Sequence, residues 1–141
     1  MNWTQWLTLG IAVVGATLGV FNAAWMIRRD TVRLRVRYVT IYVPMADGFT
    51  CGVEVTNVGY LPVTITEVAL QAHRRSKQRA VFQGDFLRQV ELPFRLEART
   101  SITIAGHPDA LGEVDRGRFN YCRAGTACGI ALIAKIKRPR R

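Results

Sequence analysis

Cysteine and histidine are the residue types that would most readily serve as a nucleophile or a base in this 141-residue chain. The chain contains three cysteines and two histidines. A cysteine nucleophile requires a histidine base and a carboxylate that orients the base. Cys122 or Cys128 with His107 and Asp109 is a conceivable set of this kind. Because no motif around these residues marks a nucleophile, and His73 lies in a basic run, we expect no catalytic residue and no enzymatic activity.

The same residues are the candidates for metal binding. Cys51, Cys122, Cys128 and His107 would supply four ligands, but two cysteines separated by five residues do not have a usual zinc spacing. We therefore expect neither a metal nor any other cofactor. An odd number of cysteines favours free thiols used as small packing residues, while a bridge between Cys122 and Cys128 across a hairpin turn stays open as the alternative.

Basic side chains give the strongest positive signal. The chain carries 20 Lys and Arg against 10 Asp and Glu, a net charge of +10, and no charged residue precedes Arg28. Three clusters stand out, at residues 28–37, 73–79 and 135–141. Such clusters bind anionic lipid headgroups, acidic protein surfaces or nucleic acid, although few aromatic residues lie among them to stack on bases. The candidate contact residues are Arg28, Arg29, Arg33, Arg35, Arg37, Arg74, Arg75, Lys77 and Arg79.

The element in front of the first cluster is an uncharged apolar stretch at residues 6–27. As a helix it spans about 33 Å, enough to cross a hydrocarbon core of about 30 Å. Trp3, Trp6 and Trp25 stand near its ends, where aromatic belts belong. A cleaved signal peptide would carry a positive N-terminal region, which is missing here. The sequence thus predicts a single transmembrane anchor at residues 1–29.

The charges and small residues around this anchor predict its orientation and packing. Arginines crowd its C-terminal flank, so the positive-inside rule places the N-terminus outside and the following domain in the cytoplasm, at an inner membrane. A reducing cytoplasm agrees with free thiols. Gly15, Gly19, Asn22 and Ala23 share one helical face that suits a homodimer or a partner helix. The alternative is that glycine is simply frequent in membrane helices.

After residue 30 the apolar residues alternate with polar ones, which indicates strands. Val32 to Tyr38 has a cationic outer face, and a phase change near Tyr38 and Val39 predicts a bulge or bend there. A second strand runs from Phe49 to Val55, and a third from Val63 to Leu70 contains a shift of phase. Shorter strands are expected at residues 80–82, 101–104, 118–123 and 129–136, with one short helix near 109–113. Six or seven strands predict a mainly β fold, a small antiparallel β-sandwich at residues 30–136, followed by a basic tail at 137–141.

Three sequence blocks strengthen this fold prediction. They are CGVEVTNVGYLPVTITEV at residues 51–68, LEARTS at residues 96–101 and TACG at residues 126–129. With the apolar anchor and the Arg-rich strand, this layout resembles small uncharacterised bacterial or phage-borne proteins that are membrane-anchored Ig-like sandwiches. The resemblance implies the fold and brings no catalytic residue.

Taken together, these features predict a non-enzymatic module anchored in the lipid bilayer that binds a protein partner or the membrane surface. A membrane-tethered nucleic-acid-binding protein is the alternative, motivated by the net charge of +10.

Overall fold

The computed structural model describes residues 2–44, 48–87 and 90–137. The chain forms two compact units, Met1–Thr31 and Val32–Arg141. The tail predicted at residues 137–141 therefore lies outside the described residues except for Lys137.

The first unit is one long helix, α1 (Trp3–Arg29), which is long and apolar enough to cross a membrane. It extends the apolar stretch by about one turn at its start, where the backbone N–H of Asn2 donates a hydrogen bond to Gln5 Oε1 at 2.9 Å. Arg28 and Arg29 occupy its last turn, where cations interact favourably with the helix dipole. No residue of α1 is buried.

The second unit consists of two antiparallel sheets and one short helix, so the prediction of a mainly β, antiparallel domain is confirmed. The first sheet has the order β1-β2-β6. The second has the order β4-β3-β7-β8, with β5 also paired to β3. The helix, α2, follows β6. The elements are β1 (Leu34–Val43), β2 (Gly48–Asn57), β3 (Val63–Gln71), β4 (Arg79–Val81), β5 (Phe94–Leu96), β6 (Ser101–Ala105), α2 (Pro108–Asp115), β7 (Tyr121–Thr126) and β8 (Ala131–Lys135).

Both sheets contribute to one hydrophobic core, because alternate side chains of their strands point inward. The largest fully buried side chains include Ile65 and Leu70 of β3 and Ile104 of β6. Val114 of α2 completes this core from the helix. Burying such side chains is the main driving force for forming the domain.

Of the bulge or bend predicted near Tyr38 and Val39, the bulge is wrong, because β1 pairs with β2 without interruption from Leu34 to Val43. The apolar residues change face because Gly52 lies opposite Val39 and leaves room there; a Cβ on Gly52 would sit 2.6 Å from Ile41 Cδ1. The phase change predicted within the third strand is confirmed, since the register between β3 and β7 shifts between Ile65 and Glu67.

The antiparallel strands give the domain two distinct ends. We call the end at which Val32 begins the domain the entry end; it carries the loops at residues 58–62, 97–100 and 127–130. The opposite end, the far end, carries the loop at 72–78, the segment from residue 106 to 120, and residues 136–137. Hydrogen bonds hold the loops of each end together: Arg33 O accepts one from Val58 N (2.8 Å) at the entry end, and Asn120 O accepts one from Ile136 N (2.8 Å) at the far end.

Candidate functional site

The three cysteines are free thiols in two different environments. Cys51 and Cys122 have no exposed surface and belong to the core, as predicted for packing residues. Burial raises the pKa of each thiol to about 11, which suppresses the thiolate that a nucleophile requires. Cys128 is exposed in the entry-end loop, and the hydroxyl of Thr126, 3.1 Å from its Sγ, lowers its pKa.

The structure places Cys128 and His107, two members of the conceivable catalytic set, at opposite ends of the domain. His107 lies at the start of α2 with its Nδ1 3.1 Å from Asp109 Oδ2, at the far end. Cys128 lies in the turn between β7 and β8, at the entry end, and Cys122 pairs with Ala134 instead of facing Cys128. The expectation that the two cysteines flank the hairpin turn is therefore wrong, since the turn lies after residue 126. Within residues 2–44, 48–87 and 90–137, no three His, Cys, Asp or Glu side chains come together as metal ligands.

The far end brings three separate chain segments together around Asn120. The backbone N–H of Asn120 donates to Gln71 O at 3.0 Å, and its Nδ2 donates to Ala72 O and Gly117 O, each at 3.3 Å. Its carbonyl accepts from the N–H of Ile136. The loop after β3, the loop after α2 and the chain after β8 are thereby tied to one residue.

These three segments, together with the last residue of β8, carry a group of exposed cations, which we call the basic end. It combines two of the clusters seen in the sequence with a pair of arginines that the sequence analysis missed. The acidic residues in the far-end segment from 106 to 120 are Asp109, Glu113 and Asp115. Because the cations outnumber these carboxylates, the basic end would attract an anionic ligand. The basic end comprises Arg74, Arg75, Lys77, Arg116, Arg118, Lys135 and Lys137.

Arg116 and Arg118 show how the cations of the basic end contact a carboxylate. Glu113 contacts Arg116 Nη1 through Oε1 at 3.1 Å and Arg118 Nη1 through Oε2 at 2.8 Å. The two arginine side chains are nevertheless 73% and 70% exposed, so their remaining donors face solvent. The sequence does contain a signal, two arginines on either side of Gly117, whose positive φ of 82° turns the chain there.

Arg79 differs from the other predicted cations of its cluster. Its Nε lies 2.7 Å from Glu67 Oε1, and the two side chains are only 35% and 22% exposed. This ion pair links β4 to β3. Arg74, Arg75 and Lys77 are exposed and face solvent, whereas Arg79 is engaged within the sheet.

An apolar groove lies beside the basic end. Its volume is about 430 Å³, and it runs between the chain at residues 80–86 and the start of α2. Leu70, Phe82 and Ala110 line it, and Phe86 packs edge-on against the ring of His107 with the centroids 5.3 Å apart. The loop at 72–78 leads directly into one wall of this groove, and α2 connects the other wall to Arg116.

The arginines after α1 lie on the outer face of the first sheet, as predicted. Arg33, Arg35 and Arg37 are exposed while Leu34 and Val36 are buried. Arg28 and Arg29 are exposed at the end of α1, and Arg29 Nε is 3.7 Å from the carboxylate of Asp30.

The predicted packing face of α1 is open. Gly15, Gly19, Asn22 and Ala23 are all exposed. Apart from the adjacent residues and the backbone of the same helix, no atom lies within 4 Å of the Cβ position of Gly15 or Gly19. The face is available to a second helix, which remains a prediction.

Comparison with known proteins found no family model and no curated protein that matches the chain. The resemblance to bacterial or phage-borne sandwiches stays a prediction, and the function has to be inferred from the geometry.

Proposed function

We propose that this protein is a single-pass membrane-anchored interaction module whose basic end binds an acidic segment of a partner protein without catalysing a reaction. The observation that carries the proposal is the set of seven exposed cations on the three chain segments that Asn120 ties together and on the last residue of β8. Charge gathered in this way raises the association rate and selects anionic partners.

Anchoring by α1 rests on its length, its uncharged apolar composition and its terminal tryptophans. The arginines that follow it favour an inner membrane with the N-terminus outside and the domain in the cytoplasm. The open face at Gly15 and Gly19 would suit a homodimer of this helix.

The strand order supports an Ig-like sandwich as the scaffold of the module. In an immunoglobulin domain, strands A, B and E lie in one sheet and strands C, F and G in the other. β1-β2-β6 and β3-β7-β8 reproduce that order, while β4 pairs with β3. The fold implies no activity, so the function depends on the surface that it displays.

One feature favours an acidic protein over nucleic acid as the ligand of the basic end. Arg116 and Arg118 contact the carboxylate of Glu113, but a phosphate would make the same kind of contact, so this pair does not separate the two ligands. The apolar groove beside them gives Phe or Leu side chains of a peptide a place to bury. A nucleic acid backbone would leave that groove unused.

Binding of a synthetic peptide tests this proposal. The full chain in detergent would be titrated with a fluorescent peptide that contains several Glu residues and one Phe, and Kd would be read from anisotropy. Replacing Arg74, Arg75 and Lys77 by Gln together should weaken binding about tenfold, since three exposed charge contacts contribute about 0.5 kcal/mol each. The matched control, Arg35→Gln with Arg37→Gln on the sheet face, should change Kd less than about twofold.

The same titration with duplex and single-stranded oligonucleotides separates the two ligand classes. One result would support the nucleic-acid alternative and overturn the proposal. In that result the oligonucleotide binds more tightly than the peptide, its affinity falls steeply with salt, and the triple variant no longer binds it. Equal peptide binding by the triple variant and the wild type would show that the basic end is not the site.

Cys128 gives a direct test of orientation. It is exposed, whereas Cys51 and Cys122 are buried. A membrane-impermeant maleimide should label the protein in permeabilised cells and leave it unlabelled in intact cells. Labelling in intact cells would place the domain outside, and Cys128→Ser is the control that identifies the labelled thiol.

A further inference from the structure

The entry end of the domain presents apolar side chains to solvent. In the loop between β2 and β3, Val58 is 41%, Tyr60 51% and Leu61 38% exposed. In the turn between β7 and β8, Ile130 is 42% exposed. Loops of a soluble domain are usually polar, so four such residues at one end need a physical reason.

Hydrogen bonds hold these loops in place. Arg33 O accepts from the N–H groups of Val58 and Gly59 at 2.8 and 3.2 Å. The buried side chain of Asn57 donates from Nδ2 to Leu61 O at 2.7 Å and to Glu97 O at 3.2 Å. Since the loops are fixed before any partner arrives, binding through them would cost little ordering entropy.

A cation is positioned among the apolar residues. Arg99 has a φ of 59°, in the left-handed region that glycine and asparagine normally occupy. Its guanidinium carbon lies 4.6 Å from the centre of the Tyr60 ring. A tyrosine with an arginine above it matches the headgroup zone of a bilayer, where aromatic rings and phosphates lie at the same depth.

The chain connects this end directly to the helix. Only Asp30 and Thr31 separate the last residue of α1 from Val32, the first residue of the domain. Arg33, which clamps the loop after β2, follows immediately. Wherever α1 crosses a bilayer, the entry end is the first part of the domain to emerge from it along the chain.

We propose that the entry end docks on the surface of the bilayer that anchors the protein. Val58, Tyr60, Leu61 and Ile130 enter the boundary between headgroups and acyl chains, and Arg33 and Arg99 bind lipid phosphates. The contact does not depend on which side of the membrane holds the domain. It rests on the anchoring proposed for α1, and it would leave the cations of the basic end to a partner.

Depth-dependent quenching tests this contact in the full chain. The protein would be reconstituted into vesicles of phosphatidylcholine with phosphatidylglycerol, and an environment-sensitive fluorophore attached to Cys128, which lies two residues from Ile130 in the same turn. Lipids that carry a spin label just below the headgroup should quench this fluorophore at least threefold more than a fluorophore on Ser76→Cys in a Cys128→Ser background. Ser76 lies in the far-end loop.

A matched pair of variants assigns the quenching to the apolar side chains. Tyr60→Ser with Leu61→Ser should reduce the quenching at Cys128 at least twofold. Tyr42→Ser with Phe49→Ser, a pair that is also exposed and lies in the first sheet, should leave it unchanged.

The outcomes separate docking from anchoring. A protein that fails to float with the vesicles refutes anchoring by α1. A protein that floats but shows equal quenching at both labels, or no change with Tyr60→Ser and Leu61→Ser, refutes the docked entry end.

Discussion

Replacing Asn57 by alanine should destabilise the domain more than most single substitutions, because this fully buried side chain links the loops of the entry end. Its Nδ2 contacts Leu61 O at 2.7 Å, Glu97 O at 3.2 Å and Leu96 O at 3.4 Å. Its Oδ1 accepts the N–H of Gly59 at 3.0 Å. Alanine would remove the donor from Leu61 O and Glu97 O, whereas the N–H of Gly59 would keep its bond to Arg33 O at 3.2 Å.

The magnitude follows from the number of groups left unpaired. Two carbonyls, Leu61 O and Glu97 O, lose a hydrogen bond of good geometry, and each unsatisfied group costs about 1 kcal/mol or more. Partial relaxation of the loop would let water reach them. We expect the free energy of unfolding to fall by about 2 kcal/mol.

Asn57→Asp adds a test with a defined pH dependence. A carboxylate in this position would face three carbonyl oxygens, so burial and repulsion would raise its pKa in the folded state above the unfolded value of about 3.9. Stability is then fully present below that unfolded pKa and is lost as the pH rises through the folded one. The deficit relative to the wild type should grow between pH 4 and pH 8.

Thiol labelling provides the assay, because the three tryptophans all lie in α1 and do not report on the domain. In a Cys128→Ser background, the buried Cys51 and Cys122 become labelled only when the domain opens. Urea titration of the full chain in detergent, with pulse labelling and mass spectrometry, gives the free energy of that opening. The control is Thr66→Ala, which removes the exposed hydrogen bond from the Thr66 hydroxyl to Gly125 O. It should lower the free energy of unfolding by less than about 0.5 kcal/mol. A loss below about 0.5 kcal/mol for Asn57→Ala would refute the structural role given to this residue.

Three further predictions follow from other contacts. At pH 7.5 a maleimide should modify Cys128 rapidly and leave Cys51 and Cys122, whose pKa burial raises to about 11, unmodified in the folded protein; rapid modification of Cys51 would contradict the packing. Gly52→Ala should lower the free energy of unfolding by about 1 kcal/mol, because the new Cβ would lie 2.6 Å from Ile41 Cδ1. In a double-mutant cycle, adding Ile41→Val should restore most of that stability, and additive effects of the two substitutions would argue against the contact. Arg79→Ala should lower the free energy of unfolding by about 1 kcal/mol through the lost contact with Glu67, with Arg75→Ala as an unaffected control; equal effects of the two would mean that the ion pair contributes nothing.

Local patterns predicted most of the elements. The apolar stretch at residues 6–27 lies within α1, and alternation located β1, β2 and β3 because strand side chains alternate between faces. The predicted short helix near 109–113 lies inside α2, whose Pro108 occupies its first turn. β5 (Phe94–Leu96) was not predicted, since three residues are too few to display an alternating pattern. β7 begins at Tyr121, three residues later than expected.

The candidate sites depended on contacts between segments distant in sequence. The charge runs at 73–79 and 135–137 were visible, but only the pairing of β3 with β7 and of β7 with β8 brings them to one end of the sheet. Arg79 belongs to the basic run at residues 73–79, but it forms an ion pair with Glu67 because β4 pairs with β3. No local pattern distinguishes it from Arg75.

The sequence by itself determined the apolar helix, the mainly β domain behind it and the strongly basic charge, because hydrophobic period and composition are local properties of the chain. The tertiary structure alone decided which cations meet around Asn120, which cysteine is exposed and which loops display apolar side chains. Those outcomes depend on strand register and on the order of strands in two sheets. Register is set by packing across the whole domain, so no single stretch of sequence contains it.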